Sequence, residues 1–269
     1  MWNSGGVSSF GDVRGTIVVT GVGRRRSIGA GIAHGLAADG WDLVLHHWWP
    51  YDARVGLDGA PDDVEGVARE CRDWGVAVEV LSSDVAEPRA CADLIEAAGS
   101  GRSPLAGLVL SHCESVDSSI LDTTVESFDR HFAVNARATW LLIKHFAESL
   151  PVGRPDGTVA GRIVALTSDH TTHNLPYGAS KGALDRIVGA AARELADRGV
   201  RANVINPGPV DTGWMDDAVR EAALAATPAG RLGTSEDVAR LVRFLLSDDG
   251  AWINGQLLSS DGGFGSRLG

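Results

Sequence analysis

Sulfur chemistry is scarce in this sequence. Its three cysteines, Cys71, Cys91 and Cys113, are odd in number, widely spaced and free of any C-x-x-C pairing, which excludes a disulfide framework and a cysteine-built zinc site. A reducing, cytoplasmic setting is the expectation. Positive charge is short as well: 24 Lys and Arg stand against 35 Asp and Glu, a formal net charge of -11. Nucleic acid needs a net basic face and is not expected as a partner. No apolar run approaches the roughly 18 residues of a membrane span, and Met1 to Gly11 has no basic stretch followed by an apolar one. The reading is a soluble protein with no membrane partner.

What is present is a regular alternation. Short β-branched runs occur at Thr16–Thr20, Trp41–His47, Val76–Leu81, Ala106–Ser111, Gly161–Ser168, Val200–Asn206 and Gln256–Ser259. Between them lie helical patterns starting at Ile28 and covering Val64–Trp74, Pro88–Ala98, Thr124–Leu150 and Thr234–Leu246, with one more around Tyr177 continued over Ala183–Arg198. The segment Pro50–Pro61 reads as a loop that connects without catalysing. This order predicts an α/β fold: one doubly wound, seven-stranded parallel sheet with helices on both faces. Ligands of such sheets sit at the carboxyl ends of the strands. Residues 1–14 read as a flexible Gly/Ser-rich tail and 15–269 as one dinucleotide-binding and catalytic domain.

The first strand ends at Gly21 and enters a glycine-rich turn, G-V-G-R-R-R-S-I-G, before a helix. Free backbone N–H groups and the helix dipole make such a turn a phosphate cradle. Gly21, Gly23, Ser27, Ile28 and Gly29 are its candidate cofactor residues, although Arg26 occupies the third glycine position of G-x-G-x-x-G. The second strand ends in His46 and His47, where NAD-binding folds place a carboxylate on the adenosine ribose. With no carboxylate there, and with Arg24, Arg25 and Arg26 in the first turn, the expectation is NADP(H) over NAD(H), since guanidinium forks suit a 2′-phosphate. His47, Arg25 and Arg26 are the residues named for that role.

Tyr177 and Lys181 stand four apart in a helical stretch, on one face. A close ammonium favours the phenolate, so the pair suits proton transfer to a carbonyl. Two histidines, His170 and His173, precede it and lack a third ligand at supporting spacing, so no metal site is expected.

Taken together, these segments resemble the short-chain dehydrogenase/reductase family, nearest to its 3-oxoacyl-carrier-protein reductase-like members, from about Gly15 to Gly263. The resemblance is carried by Thr20-Gly21 with Ser27-Ile28-Gly29, Asp84-Val85, Asn135, Ser168, Tyr177-Gly-Ala-Ser-Lys181, Pro207-Gly208-Pro209-Val210-Asp211-Thr212 and Asp261-Gly262-Gly263. It implies a Rossmann-type domain and a catalytic set in which Tyr177 protonates the carbonyl oxygen and Ser168 hydrogen-bonds it. Lys181 would tune Tyr177 and bind the nicotinamide ribose, and Asn135 would hold a water in the proton path. By the same resemblance Asp84 and Val85 would meet the adenine, Val210 and Thr212 the carboxamide, with Pro207 and Gly208 beside them. Residues 211–230 would form a substrate lid carrying Trp214, and the chain would assemble as a tetramer.

Three departures stand out. The glycine turn is longer than usual, with Ser27 for the middle glycine, as in the family's enoyl reductases; those space Tyr and Lys more widely. Leu110-Ser111-His112-Cys113 replaces the usual N-N-A-G. Ser168 and Tyr177 are only nine apart, which leaves Thr167 as the alternative to Ser168. The shortened loop with His170 and His173, together with Trp214, supplies the substrate candidates. The expected activity is interconversion of a ketone and a secondary alcohol with NADP(H). The alternatives are a catalytically silent NADP-binding regulator or scaffold, and an enoyl-thioester reductase.

Overall fold

The computed structural model describes residues 14–150 and 159–266; the tail read at residues 1–14 lies, but for Arg14, outside them. β1 (Thr16–Thr20) runs through the Gly21 turn into α1 (Ile28–Ala38), followed by β2 (Asp42–His47), α2 (Trp49–Arg54), α3 (Asp63–Arg72), β3 (Val78–Ser82) and α4 (Pro88–Gly99). β4 (Leu105–Leu110) leads to α5 (Val125–His131), a π-helical turn at Phe132–Arg137 and α6 (Ala138–Ser149). β5 (Gly161–Leu166), α7 (Leu175–Glu194), β6 (Val200–Asn206), α8 (Asp217–Ala226), α9 (Ser235–Leu246) and β7 (Leu257–Ser259) complete the chain.

The seven strands form one sheet in the order β3-β2-β1-β4-β5-β6-β7, and every pairing is parallel. Strand order reverses between β1 and β4, which opens a crevice at their carboxyl ends. Alternation along β1 shows why helices are needed on both sides. Ile17 and Val19 join Ile32, Leu36, Val67 and Val242 in one core layer, while Val18 joins Leu108, Leu142, Phe146 and Leu184 in the other. Each such side chain, fully buried, contributes roughly 1.5–3 kcal/mol by leaving water.

Two local expectations change. The segment Pro50–Pro61, expected as a loop, begins within helix α2. Pro50 sits in the first helical turn, where its fixed φ and missing N–H cost nothing, and tertiary contacts hold so short a helix in place: Asp52 meets Arg24 at 3.2 Å. The long helix expected over Thr124–Leu150 is interrupted by the π turn at Asn135, an irregularity that hydrophobic periodicity does not register.

Candidate active site

The crevice is a cavity of about 670 Å³ lined from the ends of β1, β4, β5 and β6 and from the chain after them. That size lies within the range of small-molecule and cofactor sites. Its floor is built by backbone approach. Gly21 has φ 78°, and a Cβ there would stand 2.7 Å from the Ser111 carbonyl, so only glycine lets β1 turn this closely past β4. Ser27 caps α1, its hydroxyl accepting from the Ala30 amide at 3.1 Å, which leaves the helix N-terminus facing the cavity.

Tyr177, one of two tyrosines in the chain, enters from the first turn of α7. Lys181 follows one turn later, fully buried, with Nζ donating to the Leu166 carbonyl at 2.8 Å and lying 5.7 Å from the centroid of the Tyr177 ring. Burial raises the Tyr177 phenol above its ordinary value, the Cys113 thiol adds to this, and a hydrogen bond with Ser168 opposes it. The direction is opposite to the one expected from the Tyr/Lys pair alone. Lys181 lies over the ring rather than at the hydroxyl, and burial disfavours its own charged form. Ser168, just past β5, accepts from the His170 amide at 3.2 Å. Ser168, Tyr177 and Lys181 all line the cavity, and so does Thr167.

The short loop before α7 is possible because of Gly178. A Cβ at this position would collide with the His170 carbonyl, so the loop lies directly on the helix next to Tyr177. His170 and Trp214 line the cavity; His173 does not and has φ 58°.

Asn135 is placed differently from the expectation. It is fully buried and does not line the cavity. Its amide oxygen accepts from Glu114 N at 2.7 Å, and its nitrogen donates to Glu114 O at 2.8 Å and Ser180 Oγ at 2.8 Å. The amide therefore clamps the segment after β4 onto α7, and its oxygen and both amide hydrogens are engaged within the protein.

Of the expected cofactor residues, Gly21, Gly23, Ser27, Ile28, Asp84, Val85, Pro207, Gly208, Val210 and Thr212 line the cavity. Gly29 lies behind the turn, close to the Gly21 carbonyl. Arg25 pairs with Glu70 and Asp63 and Arg26 with Asp211 at 3.0 Å, so both guanidinium groups are engaged outside the cavity. His47 also lies outside it. Arg24 is the turn arginine that reaches the lining; it is buried, donates to the Thr212 carbonyl at 2.9 Å and pairs with Asp52 and Asp58. Its two neighbours have the same side-chain type, so composition could not single it out.

The lining also includes His46 from the end of β2, His112 and Cys113 from the segment that replaces N-N-A-G, and two groups that no motif announced, Glu114 and Arg130. His46 donates from Nε2 to the Ser83 carbonyl at 2.9 Å, and burial pulls it down to about 4. Arg130 binds both Asp84 oxygens, at 2.7 and 3.0 Å, and stacks 4.8 Å from the Trp48 ring. Glu114 is buried between Arg54 at 2.6 Å and Arg130 at 3.2 Å. His112 is locked between Val134 O at 3.1 Å and Thr20 Oγ1 at 2.7 Å. Because Nε2–H must donate to the carbonyl, Nδ1 is the acceptor and the Thr20 hydroxyl donates to it. Among the described residues, no group of three His, Cys, Asp or Glu side chains could hold a metal ion, and no helix is long and apolar enough to cross a membrane.

The chain as a whole is similar to known proteins. The family model described as enoyl-(acyl carrier protein) reductase matches residues 21–265. The uncharacterized oxidoreductase YjdA of Bacillus subtilis (strain 168) is 31% identical over 251 residues, covering 92% of this chain and 95% of that protein. An NADPH-dependent aldehyde reductase-like chloroplastic protein of Arabidopsis thaliana is 33% identical over 262 residues, 90% and 92% of the two chains. Among solved structures, a blue fluorescent protein from a metagenomic library in complex with NADPH superposes with a TM-score of 0.80 at 28% identity, over 94% of this chain and 98% of that one. The family match over residues 21–265 and relatives above 30% identity across at least 90% of the sequence show that this chain is an oxidoreductase of the short-chain dehydrogenase/reductase family.

Proposed function

We propose that the protein is an NADP(H)-dependent reductase that interconverts a ketone and a secondary alcohol, with Tyr177 as the proton donor and acceptor. The observation that carries this reading is the convergence of Ser168, Tyr177 and Lys181 on the one cavity that also holds the Gly21–Ser27 turn. The donor set suits a dinucleotide: a capped helix N-terminus and glycine turn for the pyrophosphate, and a buried ammonium that spends a single hydrogen bond on protein.

When bound, the reduced nicotinamide supplies hydride to the carbonyl carbon. Tyr177 donates its phenolic proton to the carbonyl oxygen, and Ser168 hydrogen-bonds that oxygen as charge develops on it. Burial keeps the Tyr177 phenol protonated, the form a donor needs in the reducing direction. Lys181, over the Tyr177 ring, would in its charged form favour the phenolate left behind, and the N–H groups it does not spend on the Leu166 carbonyl would hold the nicotinamide ribose. Asp84 and Val85, which line the cavity, would hold the adenine, and Val210 and Thr212 the carboxamide.

Preference for NADP(H) rests on Arg24, a guanidinium in the lining, and on the absence of a carboxylate at the end of β2, where His46 and His47 stand. The Arabidopsis relative described as NADPH-dependent and the NADPH complex of the metagenomic protein support the same choice. Reduction of an enoyl thioester is the second reading, favoured by the long Ser27-containing turn and by the description of the matching family model. The one-turn spacing of Tyr177 and Lys181 argues for the carbonyl. NADPH oxidation with a panel of ketones, diketones and a crotonyl thioester decides between them: turnover of the carbonyls alone supports this reading, and turnover of the thioester alone overturns it.

The same proposal includes a homo-oligomer. A second cavity, away from the first, is lined by Phe132, Ala136, Trp140 and Ile187 with Asp129 and Arg137 among them; Trp140 is half-exposed. Apolar surface of this kind, on the helices that carry Asn135 and Tyr177, suits contact with a second copy.

A further inference from the structure

One polar group in the cavity wall has no task in the reaction just described. Asn174 is 1% exposed and lines the cavity, and its Oδ1 is buried without a hydrogen-bond partner. A buried unpaired group of this kind costs about 1–3 kcal/mol, so its retention at this place calls for a reason.

Position would ordinarily supply one. Asn174 precedes the first residue of α7, where an Asn side chain usually accepts from an amide in the first turn. That bond is absent here. Pro176 occupies the second helical position and has no amide hydrogen to offer. The main chain of Asn174 is nevertheless held firmly, its carbonyl accepting from Gly178 N at 3.0 Å while the next amide, Leu175 N, donates to Ser118 O at 3.1 Å. The preceding residue, His173, is the one non-glycine among the described residues at positive φ, 58°, a conformation that carries strain for most side chains. Strain and an unpaired amide therefore meet at one turn, and that turn presents the amide three residues before Tyr177, on the same side of the helix.

We propose that Asn174 is a specificity-determining residue that hydrogen-bonds a second oxygen function of the substrate, a hydroxyl or carbonyl one or two carbons from the reacting carbonyl. The proposal rests on the reductase reading above. An amide offers a donor and an acceptor, so it receives either group. Hydride and proton still go to the first carbonyl, and the second oxygen is bound without being changed. Trp214, Met215, Val219 and Phe264 line the same cavity, so the remainder of the substrate is apolar or aromatic. The substrate class is thus hydroxyketones and dicarbonyls with an apolar body.

The test compares 1-phenylpropane-1,2-dione with phenylacetone, which lacks the second carbonyl, in the wild type and in Asn174→Ala and Asn174→Leu. The leucine variant keeps the branching and the number of heavy atoms of the side chain, so folding does not depend on the smaller substitution alone. Greater electrophilicity of the dione cancels when the ratio of the two kcat/KM values is compared between proteins. Loss of a designed hydrogen bond to substrate lowers selectivity by at least about 10-fold, so the expected result is a fall of that size in the dione-to-ketone ratio in both variants. NADPH affinity, read by its fluorescence, stays near wild type, and the melting temperature of Asn174→Leu does not fall, because the unpaired amide is gone. Equal losses for the two substrates, or an unchanged ratio, overturn the assignment of Asn174 while leaving the reductase reading intact. A wild type that reduces no carbonyl of either kind overturns both.

Discussion

Lys181 Nζ donates to the Leu166 carbonyl at 2.8 Å, which ties the catalytic helix α7 to the end of β5 next to Ser168. The ammonium is thereby fixed by the sheet itself, within 5.7 Å of the Tyr177 ring centroid. Removing it affects two things at once, the charge beside the phenol and the tether between strand and helix. Lys181→Met is expected to lower kcat/KM by about 10²-fold or more and to weaken NADPH binding. Lys181→Arg is not a conservative rescue, because the planar guanidinium does not fit a site shaped for a point charge. Parallel kcat/KM and NADPH fluorescence titrations check both statements.

Gly178 sets how closely the loop carrying His170 lies on α7. A methyl group at this position collides with the His170 carbonyl, so Gly178→Ala must push the short loop away from α7. The expected outcome is a rise in KM of about 10-fold or more for bulky ketones, with NADPH affinity retained, since a displacement of about 1 Å near a site can cost as much as 10²-fold. In an exposed helix interior the same change would be stabilising by up to about 1 kcal/mol; here a lowered melting temperature is expected.

Arg24 links the glycine turn to Thr212 and to α2. Its loss in Arg24→Leu removes the cation that the glycine turn gives to the lining and leaves Asp52 buried without its partner. A charge-assisted hydrogen bond contributes about 1.5–3 kcal/mol, so NADPH affinity is expected to fall about 10- to 100-fold, with NADH affected less. Fluorescence titration with both nucleotides gives the ratio.

Two histidines in the cavity wall predict an acid limit to stability. His46 is pulled down to about 4 and His112 to about 3, burial being the largest cause for each. In the unfolded chain both titrate near 6.5, so between that value and the folded values the unfolded state binds more protons. Their contribution is fully present above pH of about 6.5 and is lost as pH falls toward 4 and then 3. A shift of this size corresponds to a few kcal/mol at each site. Denaturant melts across this range are expected to show stability falling on the acid side, and His112→Gln should flatten that slope even though it is less stable at neutral pH.

Much of this arrangement was legible in residue order. The alternating strands and helices marked all seven strands of the sheet, and the glycine turn and Tyr177/Lys181 pair are motifs because backbone approach and helical spacing permit few residue types there. What escaped is long-range. Helix α2 is six residues, too short to show a period, and stands on its ion pair with Arg24. Asn135 reads as a polar residue in an apolar helix, and only the fold shows its amide spent on Glu114 and Ser180. Among three consecutive arginines, which one faces the cavity depends on where Asp63, Glu70 and Asp211 arrive from other elements. The raised phenol of Tyr177 is a burial effect that no spacing rule contains.

The central claim is that Tyr177 gives the proton while the nucleotide is held independently of it. The most direct measurement is NADPH oxidation by 1-phenylpropane-1,2-dione in the wild type and in Tyr177→Phe, with NADPH binding measured on the same samples. The account predicts turnover in the wild type and a loss of about 10²- to 10⁴-fold in the variant, with NADPH affinity retained. Comparable turnover in the two proteins, or NADPH binding with no carbonyl reduced by the wild type, would contradict it.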